Sequence, residues 1–141
     1  MATTTATITL ASADIADNAF SVSNTATLTT AGTDTGISET TGLGRKKVAT
    51  ASNVVLLDGG LTSGIAADVT ADKSAKVYIK NINNRGDGTK YVTILLTTVQ
   101  IGRLYGGDWM LIPWAGGSGK DIEFTASDTT ETTLEYAVFY E

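Results

Sequence analysis

An all-β fold, an antiparallel β-sandwich with jelly-roll character, is what three features of this chain predict. Threonine occurs 25 times in 141 residues, beside many Val, Ile and Tyr, and such β-branched and aromatic side chains fit a pleated, half-buried surface. Apolar and polar residues alternate with period two in several runs, as in a strand with one covered face. Turn-forming Gly, Asn and Asp punctuate those runs every 8–15 residues or so, giving about eight or nine short strands in a sandwich or barrel. The length is that of a single domain, 1–141, able to bury roughly two-thirds of the surface its unfolded chain exposes.

The first run, TATITLA, places Ala6, Ile8 and Leu10 on one face and Thr5, Thr7 and Thr9 on the other. Polar and threonine-rich, residues 1–12 also read as an extended N-terminal arm that adds a strand to a sheet edge on another subunit, with Ile8 and Leu10 as contacts. AFSVSNTATLT repeats the alternation through Phe20, Val22, Ala26 and Leu28, and its polar break at Asn24 predicts a bulge or bend. Residues 30–44, rich in Gly, Thr and acids, read as a long interaction loop in which Ile37 and Leu43 anchor against another surface. Arg45-Lys46-Lys47, the longest basic run, reads as a solvated loop or strand edge. VATASNVVLLDGG is a strand ending in an Asp58-Gly59 turn, and LTSGIAADVTAD is a helical turn or a loop.

In KSAKVYIKNI, Val77 and Ile79 take one face and Lys76, Tyr78 and Lys80 the other. KYVTILLTTV is apolar on both faces, with Tyr91, Leu95 and Val99 opposite Val92, Ile94 and Leu96. Such a strand is either central in a two-layer fold or covered by a partner, which makes Leu95 a candidate oligomer contact. A strand from Asp108 to Trp114 follows, then a short one through Ile122 and Phe124, and a last one with Leu134, Tyr136, Val138 and Tyr140 on one face. Trp109 and Trp114 lie five apart and point to opposite faces, so one fills the core while the other meets a partner, unless both are buried. Arg103, between apolar neighbours, reaches an acidic partner or is a solvated edge arginine.

Composition excludes several kinds of chemistry. With no cysteine and no histidine, the chain lacks disulfides, thiolate metal sites, the commonest general base and the commonest zinc ligand. A net charge of -5 with scattered basic residues argues against nucleic acid. No run approaches the ~18 apolar residues of a membrane span, and MATTTATITLAS lacks the basic and apolar regions of a signal peptide, so a soluble chain made in the cytoplasm is expected. No cofactor and no enzymatic activity are expected.

Three motifs invite sharper readings. Arg85-Gly86-Asp87, the adhesion tripeptide, sits among Asn83, Asn84 and Gly88 and reads as the tip of a hairpin. A calcium site at Asn83, Asn84 and Asp87 is the alternative, without the spacing of an EF-hand. GGSGK at 116–120 misses the phosphate-loop spacing, since Asp121 follows the lysine, and reads as a hairpin loop. Asp108 beside Trp109 can be drawn as an acid near a sugar-stacking ring, and serves equally as a turn residue after Gly106-Gly107.

At KVYIKN (76–81) followed by IGRLYGGDW (101–109) and an apolar run, the chain resembles small virion structural proteins of tailed bacteriophages, particularly those infecting marine and freshwater bacteria. The resemblance implies a non-enzymatic role in the virion. The expectation is a capsid decoration or cement protein on the outside of the head, bound to the major capsid protein and acting as a homo-oligomer, dimer or trimer, with neither nucleic acid nor membrane as partner. A tail or tail-fibre module binding the host cell surface is the alternative.

Overall fold

A computed structural model describes residues 3–13, 19–30, 36–37, 39–48, 53–59, 75–86, 90–127 and 131–140. Among them are eleven strands and no helix, so the chain is all-β as the alternation predicts. Where the sequence reads as one domain, the chain divides into two compact units, Met1–Ser38 and Glu39–Glu141. Residues 61–72, expected as a helical turn or loop, lie outside the described residues.

In the first unit β1 (Thr4–Ser12) and β2 (Phe20–Leu28) form an antiparallel hairpin, unbroken from Thr4 opposite Leu28 to Ser12 opposite Phe20. The segment expected as an extended arm is thus mostly one half of a hairpin, its backbone groups on one edge satisfied by β2. No bulge forms at Asn24, which lies opposite Ile8 in continuous register and is exposed, so solvent satisfies its amide without bending the strand. Beyond β2, Thr29 bridges Gly36, and the Ile37 N–H donates to the Leu28 carbonyl at 2.9 Å.

The second unit is a two-sheet sandwich. One sheet orders β5 (Val54–Leu57), β10 (Ile122–Ala126), β7 (Tyr91–Leu96) and β8 (Val99–Tyr105). The other orders β3 (Glu39–Thr40), β11 (Thr132–Tyr140), β6 (Ala75–Asn81) and β9 (Trp109–Trp114), and β4 (Gly44–Val48) also pairs with β11. Every ladder is antiparallel. Part of the expected 30–44 loop is therefore sheet edge: β3 and β4 follow one another along β11, and Thr41 joins them by exchanging bonds with both backbone groups of Val138.

Among the described strands from β4 onward, only β7 and β8 are both consecutive and paired in one sheet; every other consecutive pair lies in different sheets. The stretches around Asn83-Asn84-Arg85 and Gly116-Gly117, expected as hairpin loops, are arches from one sheet to the other. Turn chemistry marks a change of chain direction; it does not decide whether the next strand pairs beside the last or crosses to the facing layer.

The inward faces are those the alternation assigns. Val77 and Ile79, Val92 and Ile94, Ile122 and Phe124, and Leu134 and Val138 are all 0% exposed and form one core cluster. At its edge Lys46 extends its ammonium to the Val55 carbonyl of β5, at 2.6 Å.

One element runs against expectation. KYVTILLTTV is not one strand: Thr97 and Thr98 form a two-residue turn, with φ of 42° and 62°, and Val99 begins β8. Right-handed strand twist favours this turn geometry, but Asn and Gly are its usual residues, and β-branched side chains there cost about 1–2 kcal/mol each. Thr97 is held in place by its N–H bond to Asp121 O and its hydroxyl bond to Gly119 O. Thr98 contributes a backbone bond, to Glu123 Oε2 at 3.4 Å, which glycine keeps. Thr98→Gly is therefore expected to raise stability by about 1 kcal/mol in urea denaturation; a fall would show that no strain resides there.

Candidate interaction surface

The outward face of the five-stranded sheet brings together side chains from four strands. β6 alternates, so Lys76, Tyr78 and Lys80 point away from the core that holds Val77 and Ile79. Its pairing with β9 sets Lys80 opposite Trp109, Tyr78 opposite Leu111 and Lys76 opposite Pro113. Its pairing with β11 sets the same three residues opposite Glu135, Ala137 and Phe139, and β4 adds Arg45 opposite Glu135. The result is three cross-strand rows: Arg45, Glu135, Lys80 and Trp109; then Ala137, Tyr78 and Leu111; then Phe139, Lys76 and Pro113.

An aromatic and aliphatic centre thus lies between cationic rows. Trp109 is 48% exposed and its ring sits 6.4 Å from that of Tyr78, tilted by 38°. Burial, and then the Glu135 carboxylate, raise the Tyr78 phenol above its ordinary pKa, so its hydroxyl stays protonated at neutral pH and remains a donor. Arg45 pairs with Glu135 at 3.0 Å while its own side chain stays exposed. Across the rows three cations (Arg45, Lys76, Lys80) oppose one anion (Glu135), on a chain whose net charge is -5. Such a face is suited to an acidic surface with an apolar spot at its middle.

The residues singled out by sequence scatter. Ile8 and Leu10, 40% and 54% exposed, share one face of the β1–β2 hairpin. Leu43 is 64% exposed between β3 and β4. Ile37, Leu95 and Trp114, expected as contacts, are buried at 1%, 8% and 5% exposure, which makes them interior residues of this fold. Trp114 fills the core and donates its indole N–H to Lys120 O at 2.7 Å, whereas Trp109 faces out, the division that their spacing allows. Arg103 reaches no acid among the described residues; its guanidinium lies 4.5 Å over the Tyr91 ring, which itself packs on Tyr105 at 5.4 Å. Of the candidates only Trp109 belongs to the five-stranded face. Lys76, Tyr78 and Lys80 were legible as an outward face, but nothing local shows which strands flank them.

At one end of the sandwich the turn between β8 and β9 is clamped to the β6–β7 arch. Asp108 accepts from the Tyr105 N–H at 3.0 Å and pairs with Arg85, whose Nε donates to Gly106 O at 3.0 Å. Arg85 is thus engaged within the chain rather than offered as an adhesion arginine, and Asp108 is a turn clamp; Asp87 lies outside the described residues. The amide oxygens of Asn83 and Asn84 accept from Thr133 N and Gly86 N. A cavity of about 320 Å³ opens beside them, lined by Asn81, Lys90, Tyr91 and Glu131 among others.

In GGSGK the Gly117 N–H donates to Gly59 O at 3.0 Å and the Lys120 N–H to Gly117 O at 3.1 Å, so these two donors are turned to backbone carbonyls.

The chain matches no family model, and neither a curated protein nor a solved structure is significantly similar to it.

Proposed function

We propose that this is a non-enzymatic virion structural protein of a tailed bacteriophage, a capsid decoration protein that binds the outer surface of the major capsid protein and stabilises the head. The observation that carries the reading is the Trp109, Tyr78 and Leu111 centre flanked by Arg45, Lys76 and Lys80 on one open sheet face. Joining neighbours in a shell needs contact area rather than chemistry, and a standard contact buries roughly 1,600 Å² in all. Of the stretches that carry the phage resemblance, 76–81 supplies β6 to this face and 101–109 reaches it at Trp109, opposite Lys80, while Ile101–Tyr105 belong to β8 of the other sheet.

The strand orders β4-β11-β6-β9 and β5-β10-β7-β8, linked by crossings at every step except β7–β8, support a jelly-roll reading of the sandwich. That architecture recurs in viral capsid proteins and in lectins, so it is compatible with the role without naming it. The cavity at Asn81 and Glu131, with Asn83, Asn84 and Lys90 also in its lining, favours the second reading, a tail module that contacts a host glycan.

Gold-labelled antibody on intact particles separates the two: label over the head supports decoration, and label confined to the tail overturns it. On capsids stripped of this protein, Trp109→Ala and Lys80→Glu are each expected to weaken rebinding by about 2 kcal/mol, roughly 30-fold. Unchanged rebinding of both variants would place the contact elsewhere.

A further inference from the structure

The β1–β2 hairpin has two chemically opposite faces. Paired positions put Ala6, Ile8, Leu10, Phe20, Val22, Ala26 and Leu28 on one side, with Asn24 opposite Ile8 as its one amide and Thr4 and Ser12 at its ends. On the other, Thr5, Thr7, Thr9, Ser23, Thr25 and Thr27 form a hydroxyl face, with Thr7 and Thr25 bonded across the strands at 2.9 Å. Within the apolar face, Ile8, Leu10, Phe20 and Val22 are 40–54% exposed and adjoin one another, Leu10 directly opposite Val22. A two-stranded ribbon cannot cover its own apolar face, and in water it gains stability only when a further layer packs on that face.

We infer that this layer is the same hairpin of a second copy of the chain, the two apolar faces packed together so that the protein self-associates through residues 4–28. The first ground is charge. Neither strand contains a charged residue, although the sandwich unit carries opposed ion pairs and a cationic sheet face. In a contact between identical copies any charge near the axis meets its own like, so an uncharged face suits self-association, whereas a charged partner gains nothing from it. The second ground is geometry. The register runs without a bulge through both nine-residue strands, leaving a regular pleated face that matches its own image at the ~10 Å spacing of stacked sheets. The inference does not depend on the capsid reading, and within that reading it makes each assembly multivalent.

The full chain, which has no cysteine of its own, permits a direct test. Val22→Cys, on the apolar face, is expected to form a covalent dimer under mild oxidation, and Ser21→Cys, on the hydroxyl face, to remain uncrosslinked. In sedimentation equilibrium Leu10→Asp should raise the dissociation constant at least about 30-fold and Ala11→Asp less than about threefold. Leu10→Thr, which keeps strand propensity, should weaken association in the same direction and guards against simple unfolding of the hairpin. A wild type that stays monomeric at about 100 µM, equal crosslinking at positions 21 and 22, or equal effects of the two aspartates would each overturn the inference.

Discussion

Gly106→Ala is expected to lower the thermal midpoint by about 8–15 °C, from a loss of about 2–3 kcal/mol. A Cβ on Gly106 would lie 2.7 Å from Asn83 O and from the carbonyl carbon and oxygen of Asn84. All three are backbone atoms, so no side chain can swing aside; the β8–β9 turn must lift off the β6–β7 arch. That displacement also pulls Gly106 O from Arg85 and disturbs Asp108, which ties the same turn to Tyr105 N. Gly102, a few residues earlier in β8, has open space where its Cβ would stand. Gly102→Ala is therefore expected to stay within about 0.5 kcal/mol of the wild type. Differential scanning calorimetry on both variants checks the contrast, and equal effects would show that the turn is not seated on the arch.

Phe124→Ala is expected to cost about 3–5 kcal/mol, a large share of the stability of any domain this size. Phe124 is fully buried on β10, opposite Ile94 of β7 on one side and Val54 of β5 on the other. Its ring reaches into the cluster shared with Val77, Ile79 and Val138 of the facing sheet, so truncation leaves a void between layers that neither sheet can close alone. Urea denaturation should show a lower midpoint with an unchanged slope, since the surface exposed on unfolding hardly alters. A loss under about 1 kcal/mol would mean that the two sheets do not share this core. Phe124 lies on the sheet opposite the Trp109 face, so the variant, kept below its unfolding transition, should retain the capsid rebinding proposed for that face.

These two substitutions separate what is local in the chain from what is not. Phe124 as a core residue follows from the period of IEFTA, because successive side chains of a strand leave opposite faces whatever the strand pairs with. The same covalent rule put Val77, Ile79, Leu134 and Val138 inside and Tyr78 outside before any neighbour was known. Gly106 carries no such mark: it reads as an ordinary turn glycine, and its need to be bare arises from a backbone more than twenty residues earlier.

The composition, the absence of cysteine and histidine, the all-β class and the inward face of each central strand were properties of the sequence by itself. Sheet membership, register and the sites were decided by tertiary structure. The sequence after β6 and after β9 looks like hairpin loops, yet β6 and β7, and β9 and β10, lie in different sheets, because the choice between pairing alongside and crossing to the facing layer rests on which option buries both apolar faces at once. The Thr97-Thr98 turn escaped detection because β-branched residues ordinarily avoid positive φ, and the β7–β8 ladder together with the Thr97 bonds to Asp121 and Gly119 compensates for the strain. Trp109 could be named as a contact, but its partnership with Tyr78, Lys80 and Arg45 depends on strands far apart in the chain meeting in one register, a long-range outcome that no local pattern encodes.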